Sequence, residues 1–174
     1  YGIVSLRVPN SIYQSLIALS LGKNICEIGP GLGRAAYFSI LLGAKKYTLV
    51  DIPVSSFVQG HYLIQCFKRS DICLNNEKYL DQKIQLMLPF NFLASENVYD
   101  LVINVDSLTE IDNETANRYL KKISKCSKYF LSINHESNQF TISSLVKKIG
   151  GLKRLYRKRS WIRKGYVEEL FEVI

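Results

Sequence analysis

Residues 24–34 read Asn-Ile-Cys-Glu-Ile-Gly-Pro-Gly-Leu-Gly-Arg, a sequence typical of a strand that turns through glycines into a helix. An apolar run of strand length comes first, then glycines at Gly29, Gly31 and Gly33, then a segment of helical period over 34–42. Glycine lets the chain turn sharply from a strand into a helix, and it lets a ligand approach the backbone without a Cβ in the way. This order predicts a parallel α/β sheet with a nucleotide-like ligand at the turn.

The rest of the chain alternates between strand-like and helix-like segments, which is typical of a parallel sheet covered on both faces. One polar stretch, 69–82, predicts a loop or a short helix. Strands are expected at 24–28, 47–50, 83–88, 99–104, 128–133, 152–156 and 168–174, the last two antiparallel. Helices are expected after Pro9-Asn10-Ser11, at 34–42 and 53–67, after Asp112, and at 142–149.

The composition fits one globular domain. The 174 residues are 47% apolar and 22% charged, which excludes disordered and collagen-like classes. The apolar runs are too short to cross a membrane, and no stretch resembles a signal peptide. The four cysteines form no CxxC pair, so zinc-ribbon and thioredoxin-like sites are excluded and a reducing cytoplasm is expected. Because the chain begins at Tyr1, we expect a single domain over 1–174 that lacks an N-terminal region of a longer protein.

The positive charge is concentrated near the end of the sequence. The formal net charge is +8, and residues 145–174 hold nine Lys and Arg against three Glu. Such a surface could attract nucleic acid, anionic lipid or a phosphorylated substrate. A solvated basic face is the more ordinary interpretation, and we favour it.

Two carboxylates flank the glycine turn. Glu27 would repel a pyrophosphate but attract a cationic group, and a dinucleotide fingerprint would need a glycine where Arg34 stands. A nicotinamide-dependent oxidoreductase is therefore disfavoured. Asp51 ends the second strand, where it could accept hydrogen bonds from two ribose hydroxyls or could cap the helix that begins near Pro53.

The glycine turn with Glu27, followed by Asp51, resembles the cofactor site of class I S-adenosylmethionine-dependent methyltransferases. The resemblance covers about residues 10–174 and implies a Rossmann-like three-layer α/β sandwich, whose seven-stranded, mostly parallel sheet has an antiparallel last strand. It implies S-adenosylmethionine as cofactor, with the glycines near its methionine part, Glu27 near the ammonium or sulfonium and Asp51 on the ribose. Because 88–92 holds no carboxylate for the adenine amine, Asn91 or a backbone group would take that place. The expected cofactor-binding residues are Glu27, Gly29, Gly31, Gly33, Asp51, Asn91 and Asn104.

Four segments carry a narrower resemblance. Residues 25–53, 100–110, 133–135 and 161–166 are similar to bacterial proteins described as sugar O-methyltransferases. This resemblance implies methylation of a sugar hydroxyl on a carbohydrate or nucleotide-sugar.

A hydroxyl acceptor gains from a general base, and His135 is the first candidate because it follows the fifth strand. The alternative is a histidine that only hydrogen-bonds its own loop. Asp106 and Glu110, after the fourth strand, are the other catalytic candidates. With His135 and Glu136 they could hold a divalent cation, but loop carboxylates commonly serve solvation, and we expect no metal.

The acceptor class stays open at this level. Residues 104–107 lack the Asn-Pro-Pro-Tyr-like signature of amino-group methyltransferases, so a nitrogen acceptor is disfavoured and nucleic acid is not the expected partner. A basic-aromatic loop with Trp161, Arg163, Lys164 and Tyr166 could hold a small-molecule or glycan substrate, or Trp161 could only anchor the last hairpin. An RNA methyltransferase and a non-catalytic binding domain of the same fold remain alternatives.

Overall fold

The computed structural model describes residue 5 and residues 7–174, so residues 1–4 and 6 of the expected domain lie outside it. Over this part of the chain, helices and strands alternate as expected. The helices are α1 (Arg7–Leu21), α2 (Arg34–Leu41), α3 (Pro53–Cys66), α4 (Pro89–Ala94), α5 (Asn113–Cys126) and α6 (Ile142–Ile149), with a short 3₁₀ turn at Arg69–Asp71. The strands are β1 (Asn24–Ile28), β2 (Lys46–Val50), β3 (Ile72–Cys73), β4 (Ile84–Met87), β5 (Tyr99–Val105), β6 (Ser127–His135), β7 (Leu152–Arg159) and β8 (Tyr166–Val173).

All strands join one sheet in the order β3-β4-β2-β1-β5-β6-β8-β7. Neighbouring strands are parallel except at β8, which is antiparallel to both β6 and β7. The expected mostly parallel sheet with an antiparallel last strand is confirmed, but the described residues form eight strands rather than seven. The additional strand is β3, where two buried residues pair with β4 inside a stretch that we expected to be a loop or short helix.

Helices cover both faces of the sheet, which confirms the three-layer α/β sandwich. One face packs under α5 and α6 through a core that includes Val102, Leu120 and Leu145. The other face packs under α1, α2 and α3 through a core that includes Ala36 and Leu63. The carboxyl ends of β1, β2, β4, β5 and β6 therefore meet at one edge, where ligands bind in sheets of this kind.

Element boundaries follow local chemistry. The Asp112 side chain accepts a hydrogen bond from the Thr115 N–H at 2.9 Å, so it caps α5 as predicted. α1 begins at Arg7, before the expected Pro9-Asn10-Ser11 start. Pro89 opens the short helix α4 instead of only ending the preceding strand, because the first turn of a helix does not need the missing N–H. Within the described residues, no helix is both long and apolar enough to cross a membrane.

Candidate functional site

The glycine turn joins β1 to α2 at the carboxyl edge of the sheet. Gly29, Gly31 and Gly33 all have left-handed backbone, with φ of 68°, 59° and 79°. A Cβ on Gly29 would lie 2.2 Å from Ser107 Oγ, and one on Gly33 would lie 2.9 Å from Leu49 Cδ2. At Gly31 a Cβ would meet nothing within 4 Å. Two of the glycines are therefore needed for packing, and Gly31 is the one whose backbone is open to a ligand.

A cavity of about 130 Å³ lies beside this turn. Its walls come from the turn itself, from α1, from the end of β5 and from the loop between β7 and β8. The charged residues that line it are Arg7, Glu27, Arg34, Asp106 and Arg163. The cavity therefore combines two carboxylates with three guanidinium groups at the expected ligand-binding edge.

Glu27 is the buried acid of this cavity. Its side chain is 3% exposed, and Oε2 accepts a hydrogen bond from the Tyr47 hydroxyl at 2.8 Å. Burial raises the pKa of Glu27 to about 7, and the nearby negative charge of Asp51 adds to this effect, whereas the bond from Tyr47 opposes it. A ligand cation at this place would be attracted to the ionised form.

Asp51 is a half-buried carboxylate fixed from two sides. Its Oδ1 accepts from the Ile52 N–H at 2.8 Å, and its Oδ2 accepts from Gln59 Nε2 at 2.8 Å. Burial raises its pKa, against the effect of these hydrogen bonds. Ile52, not Asp51, is the N-cap residue of α3, and no side chain caps that helix. The helix-cap alternative for Asp51 is therefore wrong.

The two asparagines expected near the cofactor do not line the cavity. Asn104 is fully buried, where its Nδ2 donates to Ile28 O at 2.9 Å and its Oδ1 accepts from Asn134 Nδ2 at 2.8 Å. Its side chain thus links β1, β5 and β6. Asn91 lies on α4 and borders a separate cleft beside β3 and β4. The sequence pattern gave no sign of the buried amide network, because it joins residues far apart in the chain.

Asp106 lies at the cavity in a left-handed conformation, with φ of 64°. Its carboxylate accepts hydrogen bonds from Arg163 Nη2 at 2.9 Å and from the Tyr166 hydroxyl at 2.7 Å. The Arg163 guanidinium also lies 3.6 Å from the centre of the Tyr166 ring. The basic-aromatic loop is therefore folded onto the end of β5, a contact that spacing alone did not reveal.

The other expected catalytic residues lie farther out. Glu110 is exposed over most of its surface, and the loss of water on its remaining surface, together with the charge of Asp106, raises its pKa. His135 Nδ1 accepts from the Ser137 N–H at 3.1 Å, and a Cβ on Gly165 would lie 2.4 Å from His135 Nε2. This position matches the alternative of a histidine that hydrogen-bonds its own loop. Among residues 5 and 7–174, no three His, Cys, Asp or Glu side chains come together as a metal site.

The α1 wall of the cavity is tied to the sheet through a buried acid. Glu168 is fully buried and accepts from the Tyr13 hydroxyl at 2.7 Å, the Tyr156 hydroxyl at 2.7 Å and Lys158 Nζ at 3.0 Å. Trp161 packs edge-on against Tyr13 at 5.1 Å between ring centres and is still 71% exposed. Trp161 therefore anchors its loop to α1 and leaves much of its surface free.

Comparison with known proteins places the fold among methyltransferases. No protein-family model and no curated protein sequence matches the chain. A candidate RNA methyltransferase from Pyrococcus horikoshii has a similar structure, with a TM-score of 0.67 at 16% identity over 96% of this chain and 84% of that one. Magnesium protoporphyrin IX methyltransferase from Synechocystis, solved with bound S-adenosylmethionine, gives a TM-score of 0.66 at 14% identity over 99% and 85%.

A third similar structure is an O-methyltransferase family protein from Burkholderia thailandensis. It gives a TM-score of 0.71 at 12% identity, and the match covers 97% of this chain but only 56% of that protein. At these identities the likeness shows a shared fold, and function must be argued from the residues of the site.

Proposed function

We propose that this protein is an S-adenosylmethionine-dependent methyltransferase that methylates a sugar hydroxyl. The observation that carries the proposal is the cavity in which buried Glu27, the open backbone of Gly31 and the carboxylate of Asp106 face one space. The similar fold of a methyltransferase solved with this cofactor supports it.

The residues fit the parts of the cofactor. Glu27 matches the ammonium group, because a buried carboxylate holds a cation strongly. Arg7 and Arg34, on the cavity wall, match the methionine carboxylate. Asp51 keeps lone pairs on both oxygens for the ribose hydroxyls, since each oxygen accepts one hydrogen bond from the protein. A dinucleotide fits less well, because its pyrophosphate would meet the acid of Glu27.

The chemistry needs little more than positioning and a proton acceptor. When bound, S-adenosylmethionine supplies an electrophilic methyl group, and alignment with the acceptor oxygen provides several kcal/mol. Asp106 is the cavity carboxylate that is not matched to the ammonium group. We therefore assign to it the proton that leaves the acceptor hydroxyl as the oxygen–methyl bond forms and the sulfur–methyl bond breaks, which leaves S-adenosylhomocysteine. Arg163 and Tyr166 hold that carboxylate in place. His135 packs edge-on against Tyr166, at 5.0 Å between ring centres, and in this scheme it supports the Tyr166 ring.

A carbohydrate acceptor is supported by the meeting of two segments. Residues 100–110 and 161–166 both carry the resemblance to sugar O-methyltransferases, and they touch through the bond between Asp106 and Arg163. The exposed face of Trp161 lies in the same loop, and aromatic faces stack on sugar rings. The acceptor would therefore lie between Trp161 and the cavity.

An RNA acceptor is the second candidate. Strand β7 exposes Lys153, Arg154, Arg157, Lys158 and Arg159 at the edge of the sheet, and a candidate RNA methyltransferase shares the fold. Several of these cations are already paired, for example Lys158 with Glu168 at 3.0 Å, which lowers the charge available to phosphates. Binding to RNA that weakens steeply with salt would favour this alternative.

The first experiment is thermal unfolding with S-adenosylhomocysteine and, separately, with NAD. A ligand at about 100 times its Kd stabilises by about 2.7 kcal/mol, or roughly 5–10 °C for a domain of this size. We expect a shift with S-adenosylhomocysteine that Asp51→Ala reduces. A shift with NAD alone would overturn the proposal. After a shift with S-adenosylhomocysteine, transfer of a labelled methyl group to panels of sugars and RNAs separates the two acceptor classes.

A further inference from the structure

Gln59 links two parts of the proposed cofactor site, the glycine turn and the carboxylate of Asp51. It lies on the inner face of α3 and is fully buried. Its Nε2 donates to Gly31 O at 2.8 Å and to Asp51 Oδ2 at 2.8 Å. One amide group therefore holds both the open glycine of the turn and the carboxylate at the end of β2.

The orientation of this amide is fixed by its partners. Gly31 O and Asp51 Oδ2 are both acceptors, so only the nitrogen of the amide can face them. The carbonyl oxygen is left buried, and among the described residues it has no hydrogen-bond partner. Buried polar groups in proteins are nearly always paired, so this arrangement costs stability that an apolar side chain of equal size would avoid. What the amide provides in exchange is the two hydrogen bonds that its nitrogen donates.

These bonds determine how Asp51 is presented. With Ile52 N–H on Oδ1 and Gln59 on Oδ2, the carboxylate cannot rotate, and its remaining lone pairs point in fixed directions. A vicinal diol needs two acceptors at a fixed separation, so a held carboxylate recognises it better than a mobile one. The same amide fixes the carbonyl of Gly31, beside which the methionine part would lie.

We propose that Gln59 is a positioning residue that gives the site its selectivity for a nucleoside with an intact 2′,3′-diol. This inference rests on the proposed cofactor. Gln59 touches no ligand itself and acts through Asp51 and Gly31.

The test compares S-adenosylhomocysteine with its 3′-deoxy analogue by calorimetry, in the wild type and in Gln59→Met. Methionine has similar length and flexibility but no donor. We expect the variant to bind S-adenosylhomocysteine about tenfold more weakly, the effect of losing one hydrogen bond between Asp51 and the 3′-hydroxyl, and to bind the 3′-deoxy analogue nearly as the wild type does. Gln65→Met, on the exposed side of the same helix, is the matched control and should bind both ligands normally.

The outcomes separate this inference from the proposed function. If the wild type binds S-adenosylhomocysteine and Gln59→Met discriminates between the two ligands as well as the wild type, the role of Gln59 is wrong and the function stands. If the wild type binds neither ligand, both fail. Should Gln59→Met not fold, Gln59→Glu takes its place, because a carboxylate would face two acceptors and should weaken binding further. Wild-type affinity in that variant would overturn the inference.

Discussion

Asp106 Oδ2 accepts a hydrogen bond from Arg163 Nη2 at 2.9 Å, although 57 residues separate the two in sequence. The same guanidinium lies over the Tyr166 ring, whose hydroxyl donates to the other oxygen of Asp106. The end of β5 and the loop between β7 and β8 are thereby joined at the mouth of the cavity. The loop is held by a geometry that only a planar cation satisfies, since an ammonium cannot stack and pair in the same way.

This contact predicts different effects for two substitutions of Arg163. Arg163→Ala should lower the free energy of unfolding by about 1 kcal/mol, because it removes a partly exposed ion pair and a cation–π contact. Arg163→Lys should recover only part of that loss. Urea denaturation measures both. Equal stability of the lysine variant and the wild type would show that charge alone holds the loop.

Gly29 and Gly31 should respond differently to alanine. Gly31→Ala meets no neighbouring atom and should cost about 1 kcal/mol from its left-handed backbone. Gly29→Ala should cost about 1–3 kcal/mol more, because its Cβ would overlap Ser107. Urea denaturation ranks the variants, and Gly29→Ala combined with Ser107→Gly should recover part of the difference. We expect Gly31→Ala to act mainly on affinity for S-adenosylhomocysteine.

Glu27 predicts a pH dependence of stability. Its pKa is about 7 in the folded protein against an ordinary 4.5, so the folded state holds more protons than the unfolded state between these values. Stability should therefore fall as pH rises through this window, by up to about 3 kcal/mol, and level off above it. Unfolding free energies of the wild type and Glu27→Gln across the window test this, because the glutamine variant should lose that component.

The same acid predicts the pH dependence of ligand binding. Ionised Glu27 attracts the ammonium group of S-adenosylhomocysteine, so affinity should rise between about pH 6 and about pH 8 as the carboxylate forms. In Glu27→Gln this rise should vanish, and calorimetry at the two pH values measures it. A rise that persists in the variant would assign the titration to another group.

Tyr13→Phe tests how α1 is held. The substitution removes one of the three donors to the buried carboxylate of Glu168 and should cost about 1 kcal/mol. The ring at position 13 also packs on Trp161, so a less firmly held α1 should loosen the loop 160–165 as well. Hydrogen exchange should therefore quicken in α1 and in this loop together. Exchange that quickens in α1 alone would show that the two walls of the cavity are independent.

Much of the fold follows from local patterns in the sequence. The apolar spacing of α5 and α6, the cap at Asp112 and the alternation of strands with helices are short-range signals, and each is confirmed. β3 was missed because two apolar residues in a polar stretch carry no periodicity. α4 spans only six residues, which is too short for a helical period to be recognised in the sequence.

The candidate site was less predictable. Asp51 and Asp106 could be placed at the sheet edge because parallel strands end together, but what holds them could not. The contacts of Gln59 and Arg163 depend on which way two loops and a helix face, and neither has a spacing rule. His135 is the last residue of β6 and does not follow the strand, and its side chain turns toward Ser137 and Gly165 instead of the cavity.

The place of β8 in the sheet has a consequence for biosynthesis. β7 leaves the ribosome before β8, but among the strands that the structure describes it pairs only with β8, which lies between it and β6. Until residues 166–173 have emerged, β6 has an open edge and the basic strand β7 has no partner in the sheet. Open edges invite pairing with other chains, so a stalled nascent chain would be exposed to aggregation at this step. β7 therefore joins the sheet only once β8 is in place.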